Sequence, residues 1–346
     1  MKLDIILKIL LIVSTMFTFV ALIIPFIIKL AFQIGAVDVP RERHIHTKDI
    51  PKLGGLAIFA GFILGYMIFG TPSVQMISIL IGGFIILIVG MIDDITELSA
   101  KTQFFFQLLA ACVVVFYGQI QLIDLSAFGF YIHFGIFSYP ITILFILGCI
   151  NCINLIDGLD GLSGGISSIY FLTIGIIATL QGSRGLDFIL CFVMLGSTLG
   201  FLLHNFHPAR IFAGNSGSMF LGFIISCIAL LGFKNVTMTS LLIPLFVLAI
   251  PILDTLFAII RRLIKGQNIT TADKCHIHHQ LLNRKFSQTA TVLIIYLIDL
   301  LFAAASIIYV TNNVILSYVL YGVLLIIVML AVLKTNIIFE HKNKNK

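Results

Sequence analysis

The chain has 346 residues, of which 60% are hydrophobic and only 10% charged. A soluble domain carries about a quarter charged residues, so a water-facing globule is excluded and the bilayer must be part of the solvent. The net charge of +6 does not indicate nucleic acid, because the basic residues sit in short loops between apolar runs, where they act as an orientation signal and a contact for anionic headgroups.

Crossing the hydrocarbon core takes about 17–25 apolar residues. On that measure the predicted spans, in chain order, are 5–30, 54–70, 76–92, 103–118, 139–155, 165–181, 188–204, 217–233, 240–262, 290–310 and 314–334. The first is too long for a cleaved signal peptide and no small-x-small site follows it. About eleven helices place the termini on opposite sides. With the C-terminus inside, only Lys2, Lys8, Arg184 and Lys234 of the 21 Lys and Arg fall outside, which predicts an external N-terminus and a cytoplasmic C-terminus. The long external link 119–138 has no Lys or Arg and alternates enough for a small hairpin. Gly61/Gly65 and Gly196/Gly200 have the GxxxG spacing that permits close helix contact, although ordinary small residues in a span explain them equally well. No repeat or linker divides the chain, so residues 1–346 are expected to form one all-α integral-membrane domain.

The internal loops hold nearly all the carboxylates and most of the histidines, the pattern of an enzyme acting on a water-soluble substrate at the membrane face. In 38-DVPRERHIHTKDIPKLGG-55 a basic loop carrying Lys48 precedes a Pro-x-x-Gly-Gly turn. It suits an anion, or it is merely a positive-inside flank. Asp93 and Asp94 end the third span, where mutual repulsion and the helix dipole are costly unless a cation or a proton relieves them. Lys101 follows as a candidate phosphate partner; a solvated helix cap is the alternative. In 151-NCINLIDGLDGLSGG-165, Asn151, Asn154, Asp157 and Asp160 recur every three residues. If the helix continues, they line one stripe of oxygen donors, the type Mg²⁺ prefers. The loop 214-GNSGS-218 opens the eighth span like a phosphate-binding helix start. His276, His278 and His279 crowd a basic segment that begins with Arg261 and Arg262. Their spacing lacks the partners of familiar zinc sites, and the cationic neighbours favour a diphosphate. The Cys149/Cys152 pair has no second pair and reads as small packing residues rather than a metal or redox site. Together these loops suggest phosphoryl transfer.

In order and along almost the whole chain, these pieces resemble the polyprenyl-phosphate N-acetylhexosamine 1-phosphate transferase family, and the HIHH form and the PILDTLFAIIRR run resemble its WecA/TagO branch. The resemblance implies transfer of GlcNAc 1-phosphate, or a related N-acetylhexosamine 1-phosphate, from a UDP-sugar to undecaprenyl phosphate. UMP is released, and a cell-envelope polymer such as teichoic acid or O-antigen is started. The implied cofactor is Mg²⁺, with Mn²⁺ as its substitute. The implied partners are the UDP-N-acetylhexosamine, undecaprenyl phosphate, membrane lipids and, as a homodimer, a second copy, with no nucleic acid. The implied location is the bacterial cytoplasmic membrane, with the site facing the cytoplasm. By position, Asp93 and Asp94 lie nearest the acceptor phosphate, with Asp93 orienting or deprotonating it, and Asp157 and Asp160 join them as catalytic acids. Asn154, Asp157 and Asp160 shape the nucleotide and metal site, Asn151 joins in binding substrate, and Phe212 stacks on uracil. Lys48 and Lys101 hold phosphates or uridine, while Arg262, His276, His278 and His279 address the diphosphate and sugar. The family usually has GDxGS, whose Asp ligates magnesium; here Asn215 stands in that place, so the implied metal set is Asn215, Asp157 and Asn154. Two other readings compete: a nucleotide-sugar or lipid-linked-sugar transporter, and a relative catalytically impaired at Asn215.

Overall fold

The computed structural model describes residues 2–39, 49–127, 130–235, 242–267, 276–311 and 313–333. Helices dominate: α1 (Lys2–Ile34), α2 (Gly54–Phe69), α3 (Val74–Thr96), α4 (Ala100–Cys112, prolonged by a π turn, Val113–Tyr117), α5 (Ser138–Ile156), α6 (Leu162–Leu180), α7 (Leu186–Asn205), α8 (Gly214–Asn235), α9 (Leu242–Val247), α10 (Ala249–Ile264), α11 (Ile277–Asn283), α12 (Gln288–Val310) and α13 (Val314–Leu333). Two short antiparallel pairs interrupt them, β1 (Val37–Asp38) with β2 (Ile50–Pro51) and β3 (Asp124–Ala127) with β4 (Phe130–His133). The second pair is the hairpin expected between the fourth and fifth spans.

Among the described residues nine helices are long and apolar enough to cross a bilayer, while α2 has 16 residues. The chain is therefore a multi-pass, all-α membrane protein. The expected span 240–262 is not one helix. It breaks between α9 and α10 at Leu248, because Pro251 has no N–H to offer the Val247 carbonyl one turn back.

Burial sorts the helices into a core and a lipid-facing shell. The α8 span is 89% buried and the α13 span 17%. Close backbone contacts seat α8: a Cβ on Gly55 would overlap the Gly217 backbone, and one on Gly90 would overlap Ser216. Phe59, Phe62 and Phe220 stack edge-on where α2 meets α8, with centroids 5.0 and 5.4 Å apart. Both GxxxG pairs mark real contacts, since Gly61 and Gly65 meet α1 and α7, and Gly196 and Gly200 meet the α1 backbone. Asp299, in the middle of α12, is fully buried, and neither of its oxygens has a hydrogen-bond partner among the described residues.

Candidate active site

The end of α1, the start of α2, the ends of α3, α5 and α7, and the starts of α6, α8 and α12 gather at one end of the bundle. Between them lies a cavity of about 1190 Å³. Asp38, Asp49, Asp94, Asp157 and Asp160 line it, with Lys52, Arg210, His207 and His279, and with Phe212 and Asn215 on its wall.

The acids at the end of α3 are met by hydrogen-bond donors from neighbouring elements. Asp94 reaches across to the first turn of α8. Its Oδ1 accepts the Asn215 N–H at 2.7 Å, and its Oδ2 accepts the Ser216 N–H at 3.1 Å and the Ser216 hydroxyl at 2.8 Å. A carboxylate at a helix N-terminus is favourable through both the free N–H groups and the dipole, so Asp94 caps a helix that lies far along the chain. Gly214 precedes that turn at φ +71°, a left-handed conformation suited to glycine. Asp93 is also engaged. Its Oδ1 accepts the Leu98 N–H at 2.5 Å and the Gln103 amide at 2.9 Å, and its Oδ2 accepts the Asn215 side-chain amide. Asp93 is buried and stands behind the cavity wall, whereas Asp94 is on it.

Asn215 links these acids to α5. Its Oδ1 accepts the Asn154 amide at 2.9 Å, and Asn154 also donates to the Ser218 hydroxyl at 2.9 Å. Asp93 can only accept, so the Asn215 NH₂ must face it and the Asn215 oxygen must face Asn154. An aspartate here would set two carboxylates against each other.

The stripe expected from the three-residue spacing does not form. Helix α5 stops at Ile156, Asp157 is its C-cap at ψ 56°, and residues 157–161 turn away. Each member of the series therefore points elsewhere. Asn151 donates to Gln107 at 2.9 Å inside the bundle. Asp157 accepts the Ser163 hydroxyl at 2.6 Å and lines the cavity. Asp160 accepts His207 at 2.7 Å and the Ala209 N–H at 3.1 Å. The turn itself is pinned at Gly161, whose N–H goes to Asn205 at 3.0 Å and whose carbonyl accepts the Tyr296 hydroxyl at 2.5 Å. Burial pushes the Asp157 carboxyl up to about 6, with the Asp160 charge adding to the rise and the Ser163 hydroxyl opposing it.

Of the three histidines, His279 lines the cavity, while His276 and His278 are buried behind it. Burial holds the His278 imidazole down at about 3, with His279 and His276 adding to the fall and Asp254 opposing it, so it is neutral at working pH. Its Nε2 lies 2.5 Å from where a Cβ on Gly158 would stand. Gly158→Ala is accordingly expected to displace this buried side chain, at a cost of about 1–3 kcal/mol. Thermal unfolding of the purified variant measures that loss, and an unchanged midpoint would place His278 elsewhere.

Several residues singled out in the sequence are absent from the cavity wall. Lys101 is exposed on the first turn of α4, and Arg262 is buried at the end of α10. Lys48 lies outside the described residues, as does the stretch 268–275 before the histidines. The structure adds groups that the motifs did not flag. Lys52 pairs with Asp38 at 2.9 Å, and Asn205, His207 and Arg210 form the far wall. The only sequence signal for the latter was their place in the polar break 204-HNFHPAR-210 between two spans.

The donor set fits a hard divalent cation. Among the described residues no three Asp, Glu, His or Cys side chains form a closed metal cage. Mg²⁺ needs none, because it takes one or two carboxylates and completes its shell with water and substrate phosphates. Asp157 brings a carboxylate to the cavity lining and Asn215 an amide whose oxygen also accepts from Asn154.

A multi-pass helical bundle with an acid-rich polar cavity at one end is the class of protein that fold and site define. Residues 76–233 match the model of glycosyl transferase family 4. The probable undecaprenyl-phosphate N-acetylglucosaminyl 1-phosphate transferase of Bacillus subtilis (strain 168) is 40% identical over 324 residues, covering 93% of this chain and 90% of that protein. The undecaprenyl-phosphate alpha-N-acetylglucosaminyl 1-phosphate transferase of Escherichia coli (strain K12) is 30% identical, covering 84% and 81%. The decaprenyl-phosphate N-acetylglucosaminephosphotransferase of Mycobacterium tuberculosis (strain CDC 1551 / Oshkosh) is 34% identical, covering 78% and 74%. The chain belongs to glycosyl transferase family 4.

Proposed function

We propose that the chain transfers GlcNAc 1-phosphate from UDP-GlcNAc to undecaprenyl phosphate, releasing UMP, in the cytoplasmic membrane of a bacterium with its cavity facing the cytoplasm. The observation that carries this reading is the charge of the cavity in a bundle whose relatives bear those names. Among its described residues five Asp face only Lys52 and Arg210 as permanent cations. A nucleotide diphosphate enters such a site only in company with a divalent cation, and the membrane wall brings the polyprenyl phosphate alongside.

Mg²⁺, when bound, would be held by Asp157 and Asn215 and would neutralise the diphosphate. The protein's own groups do the rest. Lys52 and Arg210 attract the phosphates, Phe212 offers a flat face to uracil, and His279 reaches the diphosphate. The acceptor phosphate oxygen attacks the β-phosphorus as the bond to UMP breaks, a single displacement. A burst of UMP without acceptor would instead mark a covalent intermediate. The decisive assay supplies UDP-GlcNAc, undecaprenyl phosphate and Mg²⁺ to purified protein in detergent. Organic-extractable sugar phosphate and stoichiometric UMP are expected. Neither product would sink the proposal, and uptake of intact UDP-GlcNAc into vesicles without chemistry would favour a transporter.

Asn215 sets a quantitative expectation. Asn215→Asp adds a charged ligand and lowers the half-saturating Mg²⁺ concentration by about tenfold, the equivalent of ~1.4 kcal/mol. The metal-free protein should also melt earlier, because the new carboxylate meets Asp93. A magnesium titration that does not move would remove this loop from the metal site.

A further inference from the structure

Asp254 lies on α10, in the Pro-x-x-Asp-Thr stretch, away from the cavity wall. It is 2% exposed, yet both of its oxygens are used in one direction. Oδ2 accepts from His276 Nδ1 at 2.8 Å, and Oδ1 accepts the Ile277 N–H at 2.7 Å. A buried carboxylate is costly unless hydrogen-bonded in this way, and here both bonds go to the segment that opens α11. That helix carries the remaining histidines. The His276 and His278 rings lie parallel, 3° apart in plane with centroids at 5.7 Å, and His278 and His279 have centroids at 4.3 Å. His278 rests against Gly158, beside Asp157, and His279 is on the cavity wall. An unbroken line of contacts thus runs from Asp254 through His276 to both sides of the site.

We propose that Asp254 is a positioning residue for the transfer reaction: it holds His276 as the Nδ1–H tautomer and, through the first turn of α11, sets His279 against the bound diphosphate. The chemistry follows from the acceptor-only character of a carboxylate. With Asp254 ionised, the proton of a neutral His276 must sit on Nδ1, leaving Nε2 unprotonated. In Asp254→Asn the amide has one accepting oxygen for two N–H groups. If that oxygen keeps Ile277, the NH₂ faces Nδ1 and the imidazole must move its proton to Nε2. If it keeps His276, the Ile277 N–H meets an NH₂ group. One of the two bonds is lost or inverted, while volume and shape are conserved.

This proposal rests on the transferase reading, and wild-type activity in the same assay separates the two: an inactive wild type defeats that reading, whereas the behaviour of the variants bears on Asp254 alone. In the full-length protein, Asp254→Asn is expected to lower kcat by about 10- to 100-fold, with the KM for UDP-GlcNAc changed far less. Nitrogen-15 spectra of histidine-labelled protein should show one imidazole exchanging its protonated nitrogen, a signal assigned by its loss in His276→Gln. Asp254→Glu, which keeps two accepting oxygens, should recover most of the rate. Full activity in Asp254→Asn would overturn the proposal. So would equal loss in the Glu and Asn variants with a lowered melting temperature in both, since that is the signature of a fold-supporting residue only.

Discussion

Asp94→Ala is expected to abolish measurable transfer and to destabilise the protein by about 2–4 kcal/mol, the loss of a helix cap together with buried N–H groups left unmade. Three donors from Asn215 and Ser216 converge on this one carboxylate. Removing it frees the start of α8, the helix against which α2, α3 and α5 pack. Loss of activity should therefore come with an earlier thermal midpoint. Asp94→Asn retains one acceptor and should fall between the variant and the wild type in stability. An Asp94→Ala protein that melts like the wild type would show that the carboxylate acts on substrate alone and that the cap contributes nothing.

Asp157→Asn is expected to cost at least about 100-fold in kcat/KM, within the range for a positioned acid or base. It should do so without loss of stability, because the asparagine keeps an oxygen that can accept the Ser163 hydroxyl. Its pH behaviour follows from burial. With the carboxyl raised from 3.8 to about 6, the ionised fraction in the metal-free protein, and with it the affinity for Mg²⁺, rises through a limb centred near pH 6. Stability runs the other way. A raised carboxyl favours the folded state fully below the unfolded value near 4, and that contribution disappears as the pH rises through about 6. The asparagine variant does not titrate, so at pH 8 it should melt at or above the wild-type temperature while remaining inactive. A half-saturating Mg²⁺ concentration that does not change between pH 5 and 7 would exclude Asp157 as the titrating group.

The motifs marked loops that meet in the structure, but not which residues partner one another there. Asp93/Asp94, the DGLDGL stretch, the GNSGS loop and the histidine segment do meet at one end of the bundle, as their shared position between apolar spans implied. The roles inside that cluster were less legible. The three-residue spacing of Asn151, Asn154, Asp157 and Asp160 predicts a stripe only if the helix continues, and nothing local shows that a tertiary grip on Gly161 by Asn205 and Tyr296 ends it. Asp254 looked like part of a span because its partner, His276, lies 22 residues away, beyond a basic loop. Lys101 and Lys52 are both lysines beside turns, and only the pairing of β1 with β2 selects Lys52.

Composition and periodicity determined by themselves that this chain is helical, multi-pass and polar at one end, because those properties depend on how each run of residues partitions between water and hydrocarbon. The tertiary structure decided that Asp94 caps α8 while Asp93 stands behind the cavity wall, and that only His279 of the three histidines reaches that wall. Those outcomes depend on hydrogen bonds between residues 121 and 122 positions apart, set by how closely glycine-backed helices can approach, and no local pattern encodes that distance.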